Sequence, residues 1–439
     1  MNHKALAGIL AVSLTRGAWD RATVRDRLQQ RLPVAIRNLA TPIADDLIAA
    51  MPGPYAPQPR HVAAALVATP GFRKVATHCA KHDVWPAPDL SPPHMAPIPA
   101  FTACALPALT TPQALADWLL VDPAQLDYLA DPEGRHERHG DMAVNHYHAR
   151  VVPKRRGGAR LIEAPKARLK ALQRMLLDGL LSRVPVHDAS FGFVAGRSCR
   201  DAAQRHAGED MVISFDLADY FARLGWGRVF GLYRRLGYPA PVARLLSGLC
   251  TTCTPPRVRD RMPLAARDDL RVAHLPQGAP TSPMLANVLT FGLDIRLAGL
   301  ARTLGARYTR YADDLTFSGA TTILAPVLNA VPDIVRDAGF ALNPAKTRAM
   351  PAQTRQSVTG IVVNQHCNVA RRDFDQLKAV IHACGNPADP RLRDPAFCAT
   401  LAGQIGWVRS VNPQRGAKLD RLLNLALERR IEASATVNI

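Results

Sequence analysis

Apolar residues recur at three-to-four spacing through the first 84 positions: Leu6, Ile9, Leu10 and Leu14, then Val24, Leu28 and Leu32, then Leu47, Ile48 and Met51. That period predicts amphipathic helices. Pro52-Gly53-Pro54 interrupts it. Residues 86–112 then carry Pro86, Pro88, Pro92, Pro93, Pro97, Pro99, Pro107 and Pro112, a density that excludes a helix and predicts an extended linker. Helical spacing returns over 113–130, and Asp131-Pro-Glu-Gly134 reads as a turn.

Further on, the pattern mixes two periods. Residues 147–152 and 160–163 read as strands around the basic turn Pro153-Lys-Arg-Arg-Gly-Gly158. A basic amphipathic helix is expected over 166–183 and an apolar strand over 211–217. Helices follow over 226–250 and 283–304, then a hairpin over 307–318 and a helix over 322–338. A strand over 358–363 and helices over 371–385 and 414–431 complete the reading. The chain is thus mixed α/β (α+β) behind an all-helical start.

Composition narrows the class. With 439 residues, 48% hydrophobic and 21% charged, the chain is long enough for two or three domains and is not disordered. The formal net charge is +19, from 55 Lys and Arg against 36 Asp and Glu. Residues 1–140 hold 13 basic and 12 acidic side chains, and residues 141–439 hold 42 and 24. A polyanion-binding surface is therefore expected after residue 140. The eight cysteines are scattered and imply no disulfide framework. Cys250-Thr-Thr-Cys253 is a single pair without a partner at zinc-finger spacing, and reads as two semi-buried thiols near a helix end. His136, His139, His146 and His148 cluster without matching cysteines or carboxylates, and His78 and His82 stand one helical turn apart. Both groups read as ordinary side chains rather than ligands. No apolar run reaches the ~18 residues of a membrane span. Residues 5–14 follow Lys4 but lead straight into Arg16 with no cleavage site, so an amphipathic helix of a cytoplasmic protein is expected, with no membrane partner.

Three segments carry chemistry. In Arg307-Tyr-Thr-Arg-Tyr-Ala-Asp-Asp-Leu-Thr-Phe-Ser318, alternating residues flank Asp313 and Asp314. Adjacent carboxylates repel unless a cation sits between them, and Mg²⁺ favours carboxylate and phosphate oxygens together. A solvated Asp-Asp turn is the plain alternative. Upstream, the apolar Met211-Val-Ile-Ser-Phe215 delivers Asp216 at a strand end, followed by Leu217, Ala218 and Asp219; a capping role is the alternative there. Between them, His274-Leu-Pro-Gln-Gly-Ala-Pro-Thr-Ser-Pro283 forms an open turn leading into a helix, a plausible contact for phosphates or a template strand.

In this order the segments resemble the motifs of reverse transcriptases, and among those the bacterial retron type. Phe215-Asp-Leu-Ala-Asp-Tyr-Phe221 is similar to motif A, Leu275-Pro-Gln-Gly-Ala-Pro-Thr-Ser-Pro283 to motif B, Tyr311-Ala-Asp-Asp314 to motif C and Leu342-Asn-Pro-Ala-Lys346-Thr to motif D. Residues 153–166 resemble the fingers, and Ile405-Gly-Trp-Val408 and Asn412-Pro-Gln-Arg-Gly-Ala-Lys418 the thumb. Val358-Thr359-Gly360 matches a retron element, whereas Ala202-Ala-Gln-Arg-His206 keeps that family's His but has Ala in place of Asn. Phe221-Ala-Arg-Leu also stands where many relatives have Phe-Pro-Ser-Ile.

The resemblance implies a right-hand polymerase: a helical N-terminal region over 1–105, fingers and palm over 106–365, and a helical thumb over 366–439. It implies RNA-directed DNA synthesis, with Asp216, Asp313, Asp314 and the Leu217 carbonyl holding two Mg²⁺ ions, or Mn²⁺ in their place. Phe221 would be the steric gate, Gln277 and Gly278 would position template and nucleotide, Arg160 would steady the triphosphate, and Lys346 would aid pyrophosphate departure. Lys154, Arg155, Arg156, His206 and the Val358, Thr359 and Gly360 element would touch RNA. Partners implied are deoxynucleoside triphosphates (dNTPs), a cognate structured non-coding RNA, its RNA-linked DNA product (msDNA) and a separate effector protein in antiphage defence. Packing is the alternative for His206 and the Val358 element. For the whole chain, the alternatives are a non-retron defence polymerase, templated or untemplated, and a non-catalytic RNA-binding scaffold.

Overall fold

The computed structural model describes residues 2–16, 19–52, 57, 59–88, 93–132, 134, 145–153 and 158–436. The chain forms two compact units. One comprises residues 1–185 and 224–285, the other 186–223 and 286–439.

The first unit opens with helices His3–Leu14, Arg21–Arg31, Ala40–Ala50, Pro59–Ala68 and Pro70–His82. Their starts follow from capping chemistry: Asn2, Asp20 and Thr69 each accept a backbone N–H of the first turn, and Pro70 supplies a preset φ. Leu6, Leu10, Val24, Leu28, Ile43 and Phe72 form their common core. The proline belt is not a free tether. Ala96 N–H donates to the Gly237 carbonyl at 3.1 Å and Ile98 N–H to the Arg235 carbonyl at 3.0 Å. Gly237, at φ +97°, is needed there, because a Cβ would come within 2.4 Å of the Pro97 nitrogen. One 3₁₀ turn, Pro99–Cys104, survives inside the belt, since proline is tolerated in a first turn. The expected helix over 113–130 is two, Pro112–Trp118 and Pro123–Ala130, and that over 226–250 is Trp226–Arg235 and Ala240–Cys250. Strands β1 (Tyr147–Pro153) and β2 (Ala159–Pro165) pair antiparallel as read. Cys250 ends its helix buried, its thiol 3.4 Å from the Tyr233 hydroxyl.

The second unit is built on an antiparallel sheet of order β4-β5-β3-β6. Here β3 is Met211–Asp216, β4 Arg307–Tyr311, β5 Asp314–Gly319 and β6 Arg348–Pro351. The continuous apolar run of β3 makes it an inner strand, paired on both sides. Helices Arg371–Cys384, Pro395–Val411 and Pro413–Thr436 enclose a further core of Phe374, Leu377, Ile381, Leu401, Ile405 and Leu419. Gly416 lets the last two helices cross closely, since a Cβ would lie 2.5 Å from Arg409 Cα. The helix over 395–411 and strand β6 escaped the sequence reading; Gly403 and Gly406 dilute the local helix signal of the first. The expected strand over 358–363 is instead a small hairpin, β7 (Ser357–Val358) and β8 (Ile361–Val362). Thr359 and Gly360 turn it at φ +50° and +85°.

Among the described residues no single helix is long and apolar enough to cross a membrane. The helices Ser282–Leu289 and Phe291–Thr303 pass a length and composition test only as a pair bent by 51°. The second of them carries the buried Asp294.

Asp294 is the anchor of the unit's polar centre. Arg310 on β4 donates to both its oxygens, at 2.8 and 2.7 Å, and both side chains are fully buried. The same guanidinium donates to Asn287 Oδ1 at 2.9 Å, Ser190 Oγ at 3.2 Å and the Ala312 carbonyl at 3.1 Å. Tyr308 Oη adds a bond to Asp294 at 2.9 Å. Removing one partner leaves a buried charge uncompensated, so Asp294→Ala should cost about 3–5 kcal/mol in urea unfolding. Asp294→Ala combined with Arg310→Met should recover much of that loss. A single variant as stable as the parent would show that the pair is dispensable.

Candidate active site

Strand register brings the carboxylates together. Asp216 at the end of β3 lies opposite Asp314 at the start of β5. Directly paired residues in an antiparallel ladder project to the same face. Asp313 precedes Asp314 in the β4–β5 turn, and its carbonyl accepts the Leu217 N–H at 2.9 Å. That bond ties the turn to the chain just past Asp216.

The turn is strained and held. Ala312 sits at φ +56°, where a residue with a Cβ is disfavoured. Gly192 packs against it so closely that a Cβ there would come within 2.5 Å of the Ala312 nitrogen. Arg310 fixes the Ala312 carbonyl from the other end. Strain held by surrounding packing is the usual condition of a functional turn. Arg310, Asp294 and Gly192 were not singled out from the sequence. The available signal was two opposite charges each set in an apolar stretch, Arg310 among aromatic and β-branched residues and Asp294 among Phe291, Leu293 and Leu297.

Lys346 joins the carboxylates from the segment after β5. Asn343 N–H donates to the Asp216 carbonyl and Ala218 N–H to the Ala341 carbonyl, both at 2.8 Å. The 3₁₀ turn Pro344–Lys346 then sets Lys346 Nζ 2.7 Å from Asp216 Oδ1. Asp216 is buried and Lys346 half exposed. Surrounding protein, then the like charges of Asp313 and Asp216, push the Asp314 carboxyl up to about 6.

Three carboxylates and a main-chain carbonyl form an all-oxygen set suited to a hard divalent cation. Among the described residues no three His, Cys, Asp or Glu side chains are grouped so that they could hold a metal ion as they stand. Asp216 is met by the Lys346 ammonium instead, a built-in positive charge where a cation would act. The carboxylate oxygens suit Mg²⁺ by their chemistry, and Lys346 is the group such an ion would displace from Asp216.

The remaining expected residues divide. Phe221 is half-buried, with its ring 5.4 Å from that of Tyr220. Tyr220 is itself anchored by hydroxyl bonds to Thr290 and the Ala286 carbonyl. His206 is fully buried, its ring nitrogens 2.7 Å from Ser318 Oγ and from Thr309 Oγ1. Burial, then Arg307 and Arg205, lower its pKa to about 3. His206 is thus a neutral bridge between β4 and β5, and the expected RNA contact is corrected: a side chain without accessible surface cannot reach RNA. Val358 is likewise in the core, and the Thr359 hydroxyl bonds the Cys199 and Val358 carbonyls, leaving Gly360 as the exposed tip. Lys154, Arg155, Arg156, His136 and His139 lie outside the described residues.

Arg160, Gln277 and Gly278 belong to the other unit. Arg160 is exposed on β2. The Gln277 carbonyl accepts the Glu163 N–H at 2.9 Å, and Gly278 at φ +135° lets the loop approach, since a Cβ would lie 3.0 Å from the Glu163 carbonyl. Beneath it, buried Glu163 accepts from Thr254 at 2.8 Å and pairs with His274 at 3.1 Å. Burial opposes charge on His274, but the Glu163 carboxylate overcomes it and raises the pKa. This buried pair, also missed, anchors the loop at His274, and the Glu163 N–H holds it again at Gln277.

Comparison with known proteins agrees with the motif order. Residues 152–363 match the family model described as reverse transcriptase (RNA-dependent DNA polymerase). Retron Mx65 reverse transcriptase of Myxococcus xanthus is 42% identical over 63% of this chain and 64% of its own length. Retron Mx162 reverse transcriptase of the same organism is 39% identical over 72% and 66%. Retron Ec86 reverse transcriptase of Escherichia coli is 32% identical over 52% and 67%. The chain thus spans slightly less than two thirds of the two Myxococcus relatives.

The Asp314 shift has a definite sign. Its folded pKa of about 6 exceeds the ordinary 3.8, so the protonated site stabilises fully below pH 3.8 and that contribution is lost as pH rises through 6. Mg²⁺ should restore it. The melting temperature in Mg²⁺ minus that in EDTA should grow between pH 5 and 7, and Asp314→Asn should shrink that rise. A pH-independent difference would contradict the crowded-carboxylate geometry.

Proposed function

The chain belongs to the family of bacterial retron reverse transcriptases, and we propose that it is an RNA-directed DNA polymerase of that type. It copies part of a cognate non-coding RNA into a short DNA that stays joined to the RNA. The observation that carries this reading is the Asp216 and Asp314 pairing across β3 and β5, with Asp313 alongside. Clustered carboxylates repel nucleic acid unless cations intervene, so a passive scaffold gains nothing from them.

Asp216, Asp313 and Asp314, with the Leu217 carbonyl, are the residues that would hold two Mg²⁺ ions. When bound, the ions supply positive charge beside the attacking hydroxyl and the nucleotide phosphates. Lys346 holds a proton at Nζ, 2.7 Å from Asp216, and on release from that carboxylate it is placed to donate to the departing pyrophosphate. Phe221, braced by Tyr220, bars a 2′-hydroxyl and selects deoxynucleoside triphosphates. Gln277 and Gly278 position template and nucleotide, Arg160 steadies the triphosphate, and Gly360, Lys154, Arg155 and Arg156 contact RNA. Family membership supports an antiphage role with a separate effector protein.

Expression with flanking DNA, followed by sequencing of the copurified nucleic acid, tests the reading. The expected product is one short DNA joined to one RNA, absent from the Asp313→Ala/Asp314→Ala protein, which should retain RNA. RNA without DNA in either sample, or DNA of no fixed sequence, would overturn the retron assignment. Phe221→Ala should raise ribonucleotide incorporation relative to deoxyribonucleotide in primer extension; unchanged discrimination would remove Phe221 from the gate.

A further inference from the structure

The helical N-terminal region has no role in the reading above, yet it forms one wall of a cleft in its unit. That cleft has a volume of about 1160 Å³. Arg16, Arg27 and Arg31 line it from the first two helices, and Arg234, Arg235 and Arg244 from Trp226–Arg235 and Ala240–Cys250. Its two carboxylates are Asp26 and Asp127. Asp26 is already paired with Arg25 at 2.7 Å.

The arginines are held together at a cost. Burial, and then the Arg27 guanidinium, lower the Arg234 pKa. Burial, and then Arg60, do the same to Arg244. Arg244 Nε is also buried with no hydrogen-bond partner. An orphaned buried donor among like charges is compensated when an anion with several acceptor oxygens arrives. At about 1160 Å³ the cleft has room for an anion carrying more than one phosphate. Pro93, Pro112, Pro123, Pro239 and Pro241 also line the cleft and add apolar surface beside the guanidinium groups, on which bases can stack.

We propose that this cleft is a second RNA site, binding a single-stranded phosphodiester segment outside the polymerase centre. The inference rests on the polymerase reading for the identity of the polyanion. It also relocates part of the basic surface. Residues 1–140 are nearly neutral by count, 13 basic against 12 acidic, yet three of their arginines meet three from beyond residue 224 in one place.

The test uses full-length protein carrying Arg16→Gln, Arg31→Gln and Arg235→Gln, with a melting temperature matching the parent. The probe is a fluorescent, mixed-sequence single-stranded RNA containing 4-thiouridine. Each lost phosphate contact should lower the slope of log affinity against log salt by about 0.7, so the triple variant should lose about 2. Crosslinked peptides from the parent should include the cleft walls, and those crosslinks should disappear in the variant. Extension of a short annealed primer–template, measured in the same preparations, should be unchanged. An unchanged slope with no crosslinks in the cleft would overturn the proposal in favour of an acidic polypeptide as occupant. Failure of the parent to extend the primer would instead count against the polymerase reading.

Discussion

The turn from Ala312 to Asp314 depends on a charge that never meets solvent. Arg310 is buried one residue pair away from the aspartates, and its guanidinium binds Asp294 with one edge and the Ala312 carbonyl with another. A buried ion pair contributes little net stability, because desolvation offsets attraction. What it does supply is geometry. Ala312 must hold φ +56° for Asp313 and Asp314 to follow it as they do, and Arg310 and Gly192 oppose relaxation from two sides. Asn287 and Ser190 satisfy the rest of the guanidinium, so the network has little freedom to rearrange.

The carboxylates themselves are arranged against their own stability. Asp314 is pushed up by its surroundings and by Asp313 and Asp216. Asp216 has a counter-charge in Lys346. The segment 341–346 is bound to the strand end at Asp216 and Ala218 by main-chain bonds, so the counter-charge arrives on a fixed element rather than a flexible side loop. Local repulsion is thus tolerated within a rigid frame.

A similar logic of place over count applies to the N-terminal region. Its own charge is nearly balanced, and its proline belt resembles a tether. The belt nevertheless adds two backbone hydrogen bonds to the turn around Gly237, and the arginines of two distant segments line one cleft.

Much of this was legible from neighbours along the chain. The β4–β5 hairpin, the apolar strand ending in Asp216 and the helical start all follow from periodicities of two or 3.6 residues. Adjacent carboxylates and their order with the Gln277-Gly278 turn pointed to the chemistry. Burial and partnership were not legible, because they join residues far apart in sequence. His206 reads as an exposed recognition residue until Ser318, 112 positions away, and Thr309, 103 away, enclose it. Lys346 is expected to aid pyrophosphate departure, but its contact with Asp216, 130 positions away, was not legible. Sequence alone determined which local elements form and which charges must be compensated. Only the tertiary structure decided which partner compensates each, because that depends on strand register and packing between segments that the chain itself does not place side by side.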